Sequence, residues 1–326
     1  MLTRLSAPLA KLPLSDAQLQ RVLGPQEHVD QAIAQGRLYI ADDAVLDGCT
    51  GGTVDQYRKY LWAPIVVYAW RPEAPGQPGA RVVVGIQCGQ DPASWPLWQP
   101  GDGDSWRMAK VTVASADSQV QGLVVHFGLC HVVMESVALA TRRTLARRHP
   151  LRALLAAHTE DTLEANDITR SALTPVGGTI DRLQAQSRDD SLALVVQAVR
   201  DFRRMQSSPP EDFARRGVDD TTALPAYPFR DDQLLLWEAV SQWVEDYVRA
   251  YYGDDAAVQR GGELQDFVAE MQGLEQGRLA GIGAIQTVQR LVHLMSRIVF
   301  GCGSPGATAG TAGHAAALRA GNSVSA

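Results

Sequence analysis

Four residues inside one apolar stretch are of the types that ligate metals or move protons. Gln121, His126, His131 and Glu135 all lie within ADSQVQGLVVHFGLCHVVMESVALATRRTLARR, residues 116–148. Imidazole and carboxylate groups bind transition-metal cations, and a glutamine amide oxygen is a weaker, neutral donor. Their spacing says more than their types. Gln121, His126 and His131 recur every five residues. On a regular α-helix, with 3.6 residues per turn, a step of five carries a side chain ~140° past the previous one. Such residues face one point only where the helix widens into a π-turn, a distortion frequent at functional sites. The spacing therefore leaves two readings open: a metal site, or a hydrogen-bonded polar cluster in a core.

The element that carries them is apolar on nearly every side over residues 123–140. Such a helix either spans a membrane or runs through the middle of a large protein. Two histidines and a glutamate at hydrocarbon depth would be costly, so the sequence predicts a buried central helix. Asp117 or Ser118 is a candidate N-cap. The basic run RRTLARR suits the negative helix end, and His149-Pro150 is read as the stop.

Other elements must hold this helix. Residues 15–35 read as one polar helix capped by Ser15 or Asp16. Residues 61–70 and 80–88 are β-branched and aromatic runs joined by a Pro/Gly turn, hence a strand pair. Residues 95–110 (WPLWQPGDGDSWRMAK) read as a loop. Further on, a helix covers 187–204. A long amphipathic helix then begins at Asp231 or Asp232, with Gly253 just past its end and Leu236, Val240, Trp243, Tyr247 and Tyr251 facing the core. Residues 287–302 form a last helix, and 303–326, almost all Gly, Ala, Ser and Thr, have the composition of a disordered tail.

Composition sets outer bounds. A chain of 326 residues with 45% hydrophobic content can hold one large core or two ordinary ones. Its net charge of −6 argues against a nucleic-acid surface. The four cysteines show no C-x-x-C spacing and are expected to be free thiols. The N-terminal residues lack the pattern of a signal peptide. No other segment reaches the ~20 apolar residues of a membrane span. A cytoplasmic location is the resulting expectation.

A longer pattern runs through these elements. Trp106, Ala109, Lys110, Ala116 and Asp117 precede His126, His131 and Glu135, and His149-Pro150-Leu151 with Leu154 and Leu155 follows. Tyr227-Pro228-Phe229-Arg230-Asp231-Asp232 and Glu263-Leu264-Gln265 come later. In this order the residues resemble the lipoxygenase family, over about residues 36–302. The resemblance implies a mainly α, lipoxygenase-like catalytic domain around a long central helix, with a small β portion near the N-terminus. It also implies non-haem iron, and the dioxygenation of polyunsaturated fatty acids by O2 after hydrogen abstraction from a bis-allylic carbon. The oligomeric state is left open.

Position by position, His126 matches a family iron ligand and Gln121 stands where another ligand histidine is usual. His131 and Glu135 match residues that support the metal site without binding it. Asn166, Arg170, Leu173, Gly177 and Gly178 match a segment beside the substrate channel, with Thr169 where alanine is usual; for Arg170, contact with a fatty-acid carboxylate and anchoring of a loop are both open. The ligand histidine and asparagine of the last helix map onto Gly306 and Gly310. The sequence-based expectation is therefore a partial catalytic domain over 1–302, C-terminally truncated or frame-broken, with impaired dioxygenase activity. The alternative is an inactive lipoxygenase-like remnant or lipid-binding protein. Exposed apolar sides of the central helix and of the 291–300 helix would make such a domain poorly soluble.

Overall fold

A computed structural model describes residues 1–200, 207–279 and 281–302; the expectation for the tail at 303–326 lies outside them. The strands are β1 (Leu2–Arg4), β2 (Leu38–Asp42), β3 (Thr53–Val54), β4 (Tyr57–Arg58), β5 (Ile65–Arg71), β6 (Ala80–Gln87) and β7 (Leu97–Trp98). Five of them form one antiparallel sheet in the order β1-β2-β5-β6-β7, and β3 pairs with β4 apart from it. The predicted strand pair is β5 and β6.

Helices α1 (Asp16–Leu23) and α2 (Val29–Ala34) precede β2. Ser15 caps α1 with a capping box to Gln18, so the proposed start is right. The expected single helix over 15–35 is broken, however. Gly24 sits at φ 114° and ends α1 before Pro25, a conformation that glycine alone adopts without strain.

The central rod is longer than expected. It begins with α3 (Gly103–Gln119), continues through a π-helical segment (Val120–Val132), and ends as α4 (Val133–Thr144). Asp117 and Ser118 therefore lie inside the helix and cap nothing, and the second half of the expected loop at 95–110 is helical. The overlooked signal is Trp106, Ala109, Val113 and Ala116, buried at steps of three and four. Trp106, Ala109 and Val113 pack on the sheet face that carries Tyr39, Val66, Tyr68 and Ile86. The opposite face packs Ile40, Ile65, Val67 and Val84 against Leu19, Val29 and Ala32 of α1 and α2. Covered on both sides, β5 carries a continuous apolar run instead of an alternating one.

Beyond the rod come α5 (Pro150–His158), α6 (Thr162–Ile168), a π-turn (Thr169–Leu173), α7 (Thr179–Leu183), α8 (Arg188–Arg200) and α9 (Pro209–Arg216). The series ends with α10 (Pro228–Tyr251), α11 (Asp255–Arg260), α12 (Gly262–Gln272) and α13 (Val288–Cys302). His149 does not stop the central helix, which ends at Thr144. It caps α5 instead, accepting from the Leu151 N–H with Pro150 in the first turn. The largest core joins α4, α5, α10, α12 and α13.

Helix α10 starts at Pro228, three residues before the expected Asp231. Its buried stripe is Arg230, Gln233, Val244 and Val248. The expected aromatic stripe is turned away from this: Val240 and Tyr247 are half-buried, while Leu236, Trp243 and Tyr251 are 47%, 48% and 58% exposed. In contrast, Leu291, Leu294, Met295, Ile298 and Val299 of α13 are buried in the main core. The exposed apolar surface expected on α13 thus lies on α10.

Candidate metal centre

Hydrogen bonding widens the rod where the candidate ligands sit. The Val133 N–H donates to the Gly128 carbonyl, five residues back, closing the π-segment. Close packing holds it there: a Cβ on Gly128 would come within 2.9 Å of the Ala198 Cβ on α8. Only a residue without a side chain lets the two helices approach this closely.

The widening brings His126 and His131 to one place. Their Nε2 atoms are 3.2 Å apart and their rings meet edge to face at 4.7 Å between centroids. His131 is half-buried and His126 faces solvent. Partial burial, and secondarily the His131 charge beside it, hold the His126 imidazole below its ordinary pKa. Gln121 lies five residues before His126 on the same segment and is half-buried.

Behind the pair stands a chain of partners anchored on α6. Asn166, 2% exposed, donates through Nδ2 to the His131 carbonyl at 3.0 Å and to Glu135 Oε2 at 2.8 Å. Both of those atoms only accept, so the Asn166 orientation is fixed. Its Oδ1 must then accept from His131 Nδ1, 2.9 Å away. His131 is therefore protonated on Nδ1 and, as a neutral ring, carries a lone pair on Nε2. The 3.2 Å contact is then completed by a proton on His126 Nε2.

Glu135 is held in turn by Arg170, whose Nη1 donates to both carboxylate oxygens at 2.9 and 2.8 Å. Arg170 thereby ties its π-turn to the central helix. Gly177 and Gly178 shape the turn into α7. Gly177 has φ 74°, and a Cβ on Gly178 would lie 2.9–3.0 Å from the carbonyls of Ala172, Leu173 and Pro175. Asn166, matched only as a channel residue in the sequence, is the residue that organises the site. Its contact with His131 spans 35 positions, beyond the reach of any local pattern.

The cysteines play no comparable part. All four are free, and burial pushes the Cys302 thiol up to about 12. Its Sγ lies 3.3 Å from Met134 Sδ.

A model of the lipoxygenase family matches residues 91–309, more than half of the chain. The chain belongs to the lipoxygenase family. It is 37% identical over 310 residues to linoleate 9/13-lipoxygenase of Pseudomonas aeruginosa, covering 92% of this chain and 44% of that protein. It is 30% identical over 295 residues to human polyunsaturated fatty acid lipoxygenase ALOX15B, covering 89% and 43% of the two chains. The crystal structure of a coral 8R-lipoxygenase superposes with a TM-score of 0.80 at 25% identity, over 94% of this chain and 46% of the other. The chain thus spans less than half the length of these relatives.

The family uses a metal cofactor. Against that requirement the donor set here is short. Among the described residues, no group of three or more His, Cys, Asp or Glu could hold a metal ion. His126 and His131 are two imidazoles, Glu135 is committed to Asn166 and Arg170, and Gln121 offers at most a neutral oxygen. These residues do not fit the iron set expected from the family.

Proposed function

We propose that this chain carries the imidazole-bearing part of a fatty-acid dioxygenase. Its substrates are polyunsaturated fatty acids and O2, and hydroperoxides are its product class. The observation that supports this most is the π-widened segment with His126 at the family ligand position, inside a chain 37% identical to a linoleate lipoxygenase. Arg170, Gly177 and Gly178 border the proposed fatty-acid channel from the α6–α7 side, with Arg170 occupied in holding Glu135. Iron is the family cofactor, and the donors present among the described residues do not fit it. Dioxygenation by the chain is accordingly expected to be impaired.

The test is conjugated-diene absorbance with linoleate, alongside iron analysis, for the natural chain and for Gln121→His. An added imidazole restores a donor type suited to iron, so Gln121→His should bind more iron and form diene at least ~10-fold faster, the size of change outer and inner ligand substitutions commonly produce. Absence of diene from both proteins, together with no quenching of tryptophan fluorescence by linoleate, would count against the proposal.

A further inference from the structure

We infer that Cys130, Met134 and Cys302 form a three-sulfur site for a soft monovalent cation, Cu+, at the corner where α13 meets the central rod. Three observations carry this. First, the Cys302 thiol donates to Met134 Sδ across 3.3 Å, so two sulfurs 168 positions apart in the chain already hold one proton between them. With metal–sulfur bonds of ~2.3 Å, sulfurs that far apart subtend roughly 90° at a common ion, and a trigonal angle needs them ~4.0 Å apart. Methionine is unbranched with three rotatable bonds, and makes a move of that size at little cost.

Second, Cys130 supplies the third sulfur. It precedes Met134 by four residues, where the π-segment passes into α4, and residues four apart on a helix are neighbours on one face. Cys130 also lies within electrostatic reach of Cys302, adding to the upward push that burial gives that thiol. Third, the corner is apolar. Met134, Ile298 and Val299 are buried in the main core, with Leu129 and Cys302 packed against it. Soft thiolate and thioether donors select Cu+, whereas hard cations seek oxygen.

Charge argues the same way. Cu+ displaces the proton of one thiol to solvent: an S–Cu bond forms, an S–H bond breaks, and the corner is neutral before and after. The second thiol and the thioether complete the shell as uncharged donors, and the copper stays Cu+ throughout. Zn2+ would need two thiolates for neutrality and a fourth ligand for its tetrahedron. The site uses neither imidazole and takes no part in the fatty-acid reaction, so the two readings can fail separately.

The test is anaerobic titration of the reduced, full natural chain with Cu+ against a chromophoric Cu+ chelator, followed by copper K-edge X-ray absorption of the loaded protein. The chain should take one Cu+ from the chelator and hold it in a shell of three sulfurs without nitrogen. Cys302→Ser and Met134→Leu, each checked by far-UV circular dichroism, should weaken binding at least ~10-fold, the lower end of what even outer-shell losses cost a metal site. Cys88→Ser, in the sheet, should bind as the natural chain does. Nitrogen in the shell, no uptake of Cu+, or natural affinity in folded Cys302→Ser would each overturn the inference. Independently of any variant, Cu+ should slow N-ethylmaleimide labelling of Cys130 and Cys302, read by peptide mass spectrometry, and leave Cys49 unchanged. Equal protection of Cys49, or labelling of the pair at an undiminished rate, would also overturn it.

Discussion

Asn166 shows how one side chain can decide the chemistry of another. Because its amide donates to two acceptors, its oxygen must face His131, and the tautomer of that ring follows. A second residue of interest is Asp43, 5% exposed at the end of β2. Burial pushes its carboxyl up to about 6; the N-terminal amine works against the shift and the Asp117 charge adds to it. Burial likewise raises Asp117 to about 6. An acid whose pKa is raised in the folded state binds more protons there than when unfolded. The stability referred to the neutral form is fully present below about pH 4 and is lost as pH rises through about 6. Replacing Asp43 by Asn should therefore stabilise the chain at pH 7.5 by on the order of 1–3 kcal/mol and have little effect near pH 4. Urea melts at the two pH values check this; equal destabilisation at both would show that the Asp43 carboxyl makes a contact the amide cannot replace.

At the scale of elements, the π-segment depends on the approach of α8. Gly128→Ala would force its Cβ against Ala198, and overpacking a tight helix contact typically costs about 1–3 kcal/mol. Gly122, six residues earlier, is different: its added Cβ would meet nothing nearer than Gln184 Nε2 at 3.8 Å. Gly122→Ala should be neutral or slightly stabilising, since alanine favours helix over glycine by about 1 kcal/mol. Thermal melts of the two variants should separate clearly, with Gly128→Ala the lower. Similar melting temperatures would mean that the helix pair slides apart at little cost, and that α8 does not enforce the π geometry.

For the whole molecule, the fold was legible where the signal was local. Five-residue spacing predicted the π-widening, β-branched runs marked β5 and β6, and Ser15 with Gln18 marked the start of α1. What failed depended on context. The Gly- and Asp-rich entry to the rod looked like a loop because Pro100-Gly101-Asp102 masks a helix whose buried face begins only at Trp106. On α10 two apolar stripes compete, and packing against α13 selects the one through Val244 and Val248 over the one through Trp243 and Tyr251. The rod, Gly103–Thr144, is the one helix among the described residues long and apolar enough to cross a membrane, yet half of its most apolar window is buried inside the molecule. Its ends are held by the sheet and by the α4–α13 core, which places the histidines where α6 and α8 meet it.

This assembly fixes two imidazoles toward one point with a defined proton arrangement. Two-bond 15N–1H correlation spectra of the metal-free chain, at a pH where both rings are neutral, report the tautomer of each histidine directly. His131 should carry its proton on Nδ1 and leave Nε2 free, with His126 protonated on Nε2. A His131 ring protonated on Nε2 would contradict the account, because Asn166 would then have no partner for its oxygen and nothing would aim the lone pair at His126.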